Sequence, residues 1–407
     1  MAVHGGPGII TDGLVLCLDK YDEDSYAGEP TTNTLDSPLD IANLTYWGRG
    51  NNAAQSSWST GHLDPFGGTN AILFSSDADA SYPHIRQYGI TNSTNSWTFS
   101  AWMKTVSGAT TIELTCFRAS PWAGNFGVNG YLTLTSSWQR FQITGTPVDS
   151  SWGTFHIIRH ASVAPAMSYL VAYPQAEENS HVTKFVDGSR SATDGWKDLS
   201  GNGNHADLTS LTYTTTSIPG TPRGGTPSSP VRGHYRNDFS FNGSSDYVSI
   251  PDSSDWNIGT GDFALEMWIN PDSVGNQALF NQWQSSNVDL RMIHHSSLGL
   301  LFYVNNTTYP TNGQNAVTLT ANAWHHIVIT RVGGKNLKYY LDNTVVAEDA
   351  NFTTNIQDYS GALEIGRTEQ SSYFDGEIAI TRFYVGRGLT TSEVSQHFNA
   401  HRGRFGL

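Results

Sequence analysis

The sequence predicts an all-β protein that contains two β-sandwiches and one short C-terminal helix, and three observations support this prediction. Aromatic residues make up 12% of the 407 residues and charged residues only 14%, with 40 glycines, a composition typical of sandwiches. Two pairs of strand-like segments recur in the same order along the chain. Only one stretch, at the C-terminus, has a clear helical signature. The length suggests two or three domains.

The recurring segments indicate two sandwiches that are built alike. The matches are WTFSAWMK (97–104) with FALEMWIN (263–270) and WQRFQIT (138–144) with WHHIVIT (324–330). Placing Trp102 on Trp268 aligns the alternating apolar residues of the first pair, a pattern that half-buried strands have. One such match could arise by chance, but two in the same order predict two related modules.

The C-terminal helix has a defined start. Thr390 and Glu393 have the spacing of a capping box. Beyond the first turn the only apolar residue at helical spacing is Phe398, so the apolar stripe is too short to carry a helical bundle. The helix is therefore predicted to be an accessory to the β-structure.

Charge and cysteine content exclude several classes of function. The net charge is −14 and the 22 Lys and Arg residues are dispersed, which argues against a nucleic-acid partner. No apolar run could span a membrane and no basic segment precedes a hydrophobic N-terminal stretch, so neither a span nor a secretory signal is expected. The only cysteines, Cys17 and Cys116, fit a reducing compartment.

The second half of the chain resembles laminin-G-like, concanavalin A-like jelly rolls. The resemblance covers about residues 190–400 and is carried, in the order of that family, by FSFNGSSDYVSIPD, FALEMWINP, AWHHIVITRVGGKNLKYYLDNTVVAE, ALEIGR and YFDGEIAITRFYVGRGLTTSEVSQHFNA. It implies a concanavalin A-like sandwich in which the helix after the FDGEI strand packs across one end.

The first strand of this sandwich is expected far upstream. GLVLCLDKYDEDSYAGEP (13–30) resembles the family's first strand and turn, but the W.DLSGNGN turn that normally follows occurs only at 196–204. A second module is therefore inserted between them, as domains with neighbouring termini tolerate. The segments TFSAWMK, LTLTSSWQRFQIT and HVTKFVDGSRSA of the insert resemble jelly-roll carbohydrate-binding modules of phage structural proteins.

The predicted organisation has five parts. They are an N-terminal arm (1–12), the first strand of the laminin-G-like domain (13–29), an inserted jelly-roll module (30–185), the remainder of the laminin-G-like sandwich (186–400) and a docking tail (401–407).

The protein is predicted not to be an enzyme, and no catalytic residue is assigned. Concanavalin A-like glycanases carry paired carboxylates at E-x-D-x-x-E spacing, and no Glu of this chain is followed by Asp two residues later. The H-E-x-x-H and G-x-S-x-G motifs are absent as well.

Two groups of residues have the chemistry of metal ligands. Asp19, Asp22 and Asp24 lie in an acidic turn that could hold a structural calcium, although acidic turns are commonly only solvated. His397 and His401 could chelate zinc on a helix, but no third ligand is indicated, and exposed histidines on a fraying helix are the favoured interpretation. No cofactor other than calcium is indicated.

Loop tryptophans of the insert are the candidate glycan-binding residues, because sugars stack their C–H faces on flat rings. The candidates, which lie among Gly, Ser, Asn and Pro, are Trp47, Trp58, Trp122 and Trp152. Packing at a sandwich edge or against another subunit is the alternative interpretation, because large aromatic residues are mostly buried.

The tail HRGRFGL is predicted to dock rather than to extend into solvent. The residues expected to carry this docking are Arg402, Arg404, Phe405 and Leu407. The two apolar residues would enter a groove and the arginines would lie near acidic residues, on the first-strand region of the same chain or on another virion subunit. Truncation after Ala400 is expected to leave both sandwiches folded and to impair assembly.

The two ends of the chain, MAVHGGPGIITDGLVLCLD and EVSQHFNAHRGRFGL, resemble the termini of structural proteins of large tailed phages. The resemblance implies a non-enzymatic virion protein that decorates a capsid, tail or fibre and assembles in the host cytoplasm. Its expected partners are other virion proteins, further copies of itself and host surface glycans. A receptor-binding adhesin that recognises host polysaccharide is the second hypothesis, and a polysaccharide depolymerase is the third.

Overall fold

A computed structural model of the chain contains two compact units of β-structure. The structure describes residues 8–50, 55–77, 83–88, 93–108, 111–118, 125–147, 153–159, 166–213, 239–310, 319–368 and 372–407. Unit 1 comprises the described parts of residues 1–27, 191–214 and 238–407, and unit 2 those of residues 28–190.

Two sheets form the described part of unit 1. The first, in spatial order, consists of β1 (Leu14–Asp19), β27 (Asp375–Val385), β16 (Phe263–Pro271), β21 (His325–Val332), β22 (Asn336–Leu341) and β23 (Thr344–Asp349), with β14 (Phe241–Asn242) also paired to β27. The second consists of β15 (Val248–Ile250), β24 (Leu363–Ile365), β17 (Gln277–Ser285), β18 (Val288–His295), β19 (Gly299–Val304) and β20 (Thr307–Tyr309). A small hairpin pairs β25 (Arg367–Thr368) with β26 (Ser372–Tyr373), and Ser254–Trp256 forms a 3₁₀ turn.

The core of unit 1 lies between these two sheets, because one cluster of buried side chains draws on both. Alternate residues of β16, such as Leu265 and Met267, point into it. The upstream strand β1 pairs antiparallel with β27, with Cys17 opposite Arg382. Residues 14–19 therefore belong to the same sandwich as strands that lie more than half the chain later.

The helix α1 spans Thr391–Phe405 and covers the outward face of the first sheet. Its predicted capping box is confirmed, since Thr390 accepts from the backbone N–H of Glu393 while the Glu393 carboxylate accepts the N–H of Thr390 at 2.9 Å. The helix continues as far as Phe405, so the predictions that it frays near His401 and that residues 401–407 form a separate tail are wrong.

The outward side of β16 explains where the helix packs. Ala264 and Trp268 point away from the core and are nevertheless fully buried, because α1 lies over them. Packing across one end of the sandwich, which the family resemblance implied, is therefore wrong. A sheet with apolar side chains on both faces needs a cover on each.

Two five-stranded sheets dominate unit 2 in the part of it that the structure describes. The first consists of β10 (Gln139–Gly145), β7 (Trp97–Gly108), β12 (Met167–Glu177), β5 (Ala71–Ser76) and β4 (Ser56–His62). The second consists of β3 (Trp47–Gly50), β6 (His84–Tyr88), β11 (Gly153–Arg159), β8 (Thr111–Arg118) and β9 (Asn125–Thr133). A short pair joins β2 (Thr31–Thr32) to β13 (Ser189–Arg190). The core lies between the large sheets, where Phe99 stacks on Phe155 with ring centroids 5.4 Å apart.

The strand repeat seen in the sequence is confirmed by strand pairing. In unit 2, Trp102 lies opposite Arg140, and in unit 1, Trp268 lies opposite His326. In both cases the partner follows the second Trp of the repeat by two positions. Both repeated Trp pairs lie on the outward side of their sandwich, away from its core.

Two further findings bear on the sequence predictions. No helix among the described residues is long and apolar enough to cross a membrane. Cys17 is a buried free thiol, and burial raises its pKa.

Candidate functional site

A cluster of aromatic rings lies on the outward face of the first sheet of unit 2. Along β7, Phe99 and Met103 point to the core, so Trp102 and Lys104 point outward. On the neighbouring β12, Leu170 is buried beside these rings. We refer to the following residues together as the aromatic face: Phe66, Trp102, Lys104, Trp138 and Tyr173.

The turn between β4 and β5 is built around the carboxylate of Asp64. Its Oδ1 accepts the backbone N–H groups of Phe66 at 2.8 Å and Gly68 at 3.0 Å. Its Oδ2 accepts the Tyr173 phenol at 2.7 Å, and the backbone and side-chain N–H groups of Asn70 at 3.2 and 3.1 Å. The five bonds fix the turn and with it the position of the Phe66 ring.

Phe66 rests edge-on against the other rings of the aromatic face. Its ring centroid lies 5.4 Å from that of Trp102, with the planes at 80°, and 5.2 Å from that of Tyr173. Tyr173 in turn contacts Phe185 at 5.0 Å. Phe66 remains 41% exposed, whereas Trp102, Trp138 and Tyr173 are half-buried. Such edge-to-face contacts hold the rings in place and leave part of each accessible.

The bond between Asp64 and Tyr173 also fixes their charge states. Burial acts to raise the pKa of Asp64, but the hydrogen bonds from Tyr173 and from the turn backbone outweigh it and leave the pKa below its ordinary value. Burial, together with the bond to Asp64, raises the pKa of Tyr173 to about 12. At neutral pH a carboxylate is therefore held by a neutral phenol.

The polar half of the same sheet face is covered by residues 181–190, which we name the strap. Thr183 donates its backbone N–H and its hydroxyl to Glu177, at 2.9 and 2.7 Å, and accepts from Gln175 at 3.0 Å. At the start of the strap His181 pairs with Glu29 at 2.6 Å, and this hydrogen bond raises the pKa of His181. The strap meets the aromatic face where Phe185 packs against Tyr173.

Of the four tryptophans predicted as glycan ligands, two lie within the described residues. Trp47 is only 2% exposed, and its indole N–H donates to the Asp36 carbonyl at 2.9 Å, so the prediction that it is exposed is wrong. It begins β3, and its side chain enters the core. Trp58 is half-buried on β4 with the Arg49 guanidinium 5.6 Å from its ring centroid. Trp122 and Trp152 lie outside the described residues.

The predicted docking residues lie at the end of α1. Phe405 is 7% exposed and stacks on Trp268, with centroids 4.4 Å apart, and it packs at a tilt of 46° against Trp324, with centroids 4.5 Å apart. Arg404 donates to both carboxylate oxygens of Asp19, at 2.7 and 2.9 Å. These contacts are made within unit 1, to its first strand and to its outward Trp pair.

The remaining two docking residues are not buried. Leu407 is 45% exposed, so the prediction that it enters an apolar groove is wrong. The left-handed Gly406, at φ 77°, ends the helix and directs the chain away from the sheet. Arg402 is exposed on α1. An assembly role for these residues stays a prediction.

The acidic turn proposed for calcium is engaged in other bonds. Both oxygens of Asp19 accept from Arg404, and Oδ1 also accepts the N–H of Tyr21 at 2.9 Å, so the prediction of Asp19 as a metal ligand is wrong. The carboxylate of Asp22 accepts the N–H of Asp24 at 2.9 Å. Within the described ranges no group of three or more His, Cys, Asp or Glu side chains could hold a metal. Calcium binding by this protein stays a prediction.

A buried charged network lies beneath α1, centred on Glu266 of β16. Its Oε1 accepts from Nε2 of His326 and from Arg382, both at 3.0 Å, and its Oε2 accepts from Nδ1 of His397 at 2.8 Å. Burial acts to raise the pKa of Glu266, and the positive charge of Arg382 overcomes it and holds the pKa well below the ordinary value. The prediction that His397 is exposed is wrong, because α1 turns this side chain into the sheet.

The same network reaches the N-terminal segment and the end of the helix. Nε2 of His397 accepts the backbone N–H of Ile10 at 2.9 Å, while its Nδ1 bonds to Glu266. Arg382 donates a further N–H to Nε2 of His401 at 2.8 Å. Burial and the nearby Arg382 charge lower the pKa of His401 to about 3. His401 is therefore a half-buried acceptor, and its predicted exposure is wrong.

The stability of unit 1 is expected to fall as the pH is lowered from about 6.5 towards 3. In the unfolded chain His401 binds a proton near its ordinary pKa of about 6.5, whereas in the fold it stays neutral. Each unit of pH below this value therefore lowers the free energy of unfolding by up to about 1.4 kcal/mol. Urea unfolding of His401→Gln, which keeps an acceptor for Arg382 and cannot titrate, should show a shallower loss between pH 6.5 and 5. His62→Gln in unit 2 is the control. If the parent protein and both variants lost stability equally between pH 6.5 and 5, His401 would not be the group that causes the loss.

The fold and these sites define the class of domain. Residues 242–395, which lie in unit 1, match a laminin G family described as the "Concanavalin A-like lectin/glucanases superfamily". Unit 1 thus contains a concanavalin A-like β-sandwich. The predicted fold class, an all-β chain whose described part has a single α-helix near the C-terminus, is confirmed. Among curated proteins none matches the chain.

Several solved structures are similar to about half of the chain. Domain 4 of AbnA, a GH43 extracellular arabinanase from Geobacillus stearothermophilus, in complex with arabinotriose, is 16% identical with a TM-score of 0.37, over 51% of this chain and 95% of that one. The binding domain of Paraclostridial Mosquitocidal Protein 1 is 18% identical with a TM-score of 0.36, over 51% and 50%. The binding domain of botulinum neurotoxin DC in complex with rat synaptotagmin II is 12% identical with a TM-score of 0.36, over 50% and 48%. The chain spans about half the length of these two toxin domains, and at such scores the similarities carry no inference about ligand.

Proposed function

We propose that this chain is a non-enzymatic virion protein of a tailed phage that binds a host-surface glycan on the aromatic face of unit 2. The observation that carries the proposal is the set of fixed, partly exposed rings around Phe66, Trp102 and Tyr173. A pyranose has a flat C–H surface that packs on such rings while its hydroxyls bond to polar groups at the rim. Asn70, exposed beside the rings, is one such group.

The two repeated Trp pairs support this use of the face. In unit 1 the pair Trp268 and Trp324 is filled by the Phe405 ring of α1. The equivalent pair in unit 2, Trp102 and Trp138, has no helix over it in the described part of that unit, and both rings remain partly exposed. On unit 2 the neighbours of this pair are instead Phe66, against Trp102, and Lys104, over Trp138, and neither covers its ring completely.

The virion setting has separate support. It rests on the resemblance of the chain ends to phage structural proteins and on the acidic composition. In this setting the sandwiches contact other virion proteins and further copies of the chain, after assembly in the host cytoplasm.

Two other functions compete with this one. In a purely structural role the aromatic face would pack against a neighbouring virion subunit. A depolymerase would need a carboxylate pair facing a cleft, and on the aromatic face the only acidic side chain that the structure places is Asp64, whose oxygens accept five hydrogen bonds within the turn. The glycan-binding role needs only partly exposed rings and polar groups beside them, and the aromatic face has both.

Trp102→Ala and Phe66→Ala in the full chain are expected to weaken glycan binding by about tenfold or more, because each removes a stacking surface. Binding would be measured on a glycan array and then by titration calorimetry with the retained glycan. Tyr131→Ala removes a 57% exposed ring from the other sheet of unit 2 and is the matched control. Retention of no glycan at all, or unchanged binding by Trp102→Ala, would favour the structural role.

A further inference from the structure

We infer that the glycan bound on the aromatic face is acidic, with a carboxylate that pairs with Lys104. This inference rests on the proposed function and adds the class of its ligand. The chain as a whole carries a net charge of −14, which by itself would disfavour a polyanion. The charge that decides binding is the local one, because salt screens charges beyond about 8 Å at physiological ionic strength.

Lys104 is the central observation. It follows Trp102 by two residues on β7, so both side chains stand on the same side of the sheet. Its Nζ lies 5.3 Å from the ring centroid of Trp138, and no carboxylate of the described residues forms an ion pair with it. An ammonium group held on an indole, beside a ring on which a sugar can stack, is placed to meet the carboxylate of a uronic acid.

Arg140 adds a second positive charge at the edge of the aromatic face. It lies directly opposite Trp102 in the strand register. Its guanidinium donates to the carbonyl of Thr183 and to the hydroxyl of Ser100, both uncharged partners. These bonds fix the position of the guanidinium.

The single carboxylate of the face does not cancel these cations. Asp64 accepts five hydrogen bonds, so its oxygens are occupied within the turn. Lys104 thus stands beside a carboxylate whose oxygens are already engaged. A neutral glycan would make no use of Lys104, whereas an acidic one gains a charge-assisted hydrogen bond there.

The test compares acidic polysaccharides with their own neutral derivatives. Polygalacturonate, alginate and hyaluronate, each beside its carboxyl-reduced form, would be titrated into the full chain at low and physiological salt. We expect at least one acidic polymer to bind about tenfold more tightly than its reduced form, with the difference shrinking as salt rises. Lys104→Gln should remove most of this difference without changing the binding of the reduced form, and Lys104→Arg should restore it. Lys335→Gln, on an exposed turn of unit 1, is the matched control.

The outcomes separate the inference from the proposed function. Equal binding of acidic and reduced polymers, lost in Trp102→Ala and unchanged in Lys104→Gln, would overturn the inference and leave glycan binding in place. Binding of neutral array glycans alone would do the same. If no glycan of either kind binds, the proposed function falls and the inference falls with it. Circular dichroism of each variant confirms that the fold is intact.

Discussion

Arg382→Met is expected to lower the free energy of unfolding of unit 1 by about 3–5 kcal/mol, because it leaves Glu266 charged and buried without its main counter-charge. Both side chains are almost fully buried, and Arg382 also donates to His401 at the end of α1. Hydrogen exchange measured by mass spectrometry along a urea series reports on each unit separately. Exchange in α1 and β16 should rise at lower urea than in the parent protein, whereas unit 2 should be unchanged.

Two further variants sharpen this prediction. Arg402→Met makes the same chemical change on the exposed side of α1 and should cost less than about 0.5 kcal/mol. The double variant Glu266→Met with Arg382→Met removes both charges and should recover part of the loss, since no lone buried charge remains. If Arg382→Met were as mild as Arg402→Met, the network would not stabilise the helix on the sheet.

Phe405→Ala is expected to destabilise unit 1 by about 3–5 kcal/mol, the range for removing a buried aromatic side chain. The ring is 7% exposed, stacks on Trp268 and packs against Trp324, so its loss opens a cavity under the last turn of the helix. The change would be measured by urea unfolding followed by tryptophan fluorescence. Leu407→Ala, two residues on and 45% exposed, should be nearly neutral. Similar effects of the two substitutions would contradict this packing.

The position of Phe405 also changes the expected effect of truncation. A chain that ends at Ala400 would lose Phe405 and the pair between Arg404 and Asp19, together with the acceptor His401. The sequence-based expectation that both sandwiches survive this truncation therefore does not fit the structure, because these residues cover the outward side of unit 1. A defect of the truncated protein would therefore report on stability as well as on the proposed assembly role.

Local sequence signals predicted much of the fold. The capping box at Thr390 depends on residues within one turn, and the strand repeat depends on alternation along short segments, so both could be recognised without tertiary information. The length of α1 could not, because its last turn is stabilised by contacts to Trp268 and Asp19, which are far away in sequence. The burial of His397 has the same origin, since its partner Glu266 lies 131 residues upstream.

The candidate site was harder to predict than the fold. Trp47 lies among glycines and was predicted to be exposed, whereas Trp102, within a strand, was not among the candidate ligands. Strand alternation carried the usable signal, since Phe99 and Met103 face the core and Trp102 must then face outward. Phe66 gave no such signal, because its position depends on bonds from the turn to Asp64 and through it to Tyr173.

The pairing of the two ends of the chain has a mechanical consequence. The backbone N–H of Ile10 donates to His397, and the Ile10 carbonyl accepts from the Tyr384 hydroxyl. Arg404 forms a salt bridge with Asp19 at the end of β1. A pull between Gly8 and Leu407 is therefore borne by bonds that join β1, β27 and α1. Unit 2 enters the chain after β1, so tension reaches it only once these bonds have broken. Force applied at these two points would therefore load unit 1 first and leave the aromatic face intact.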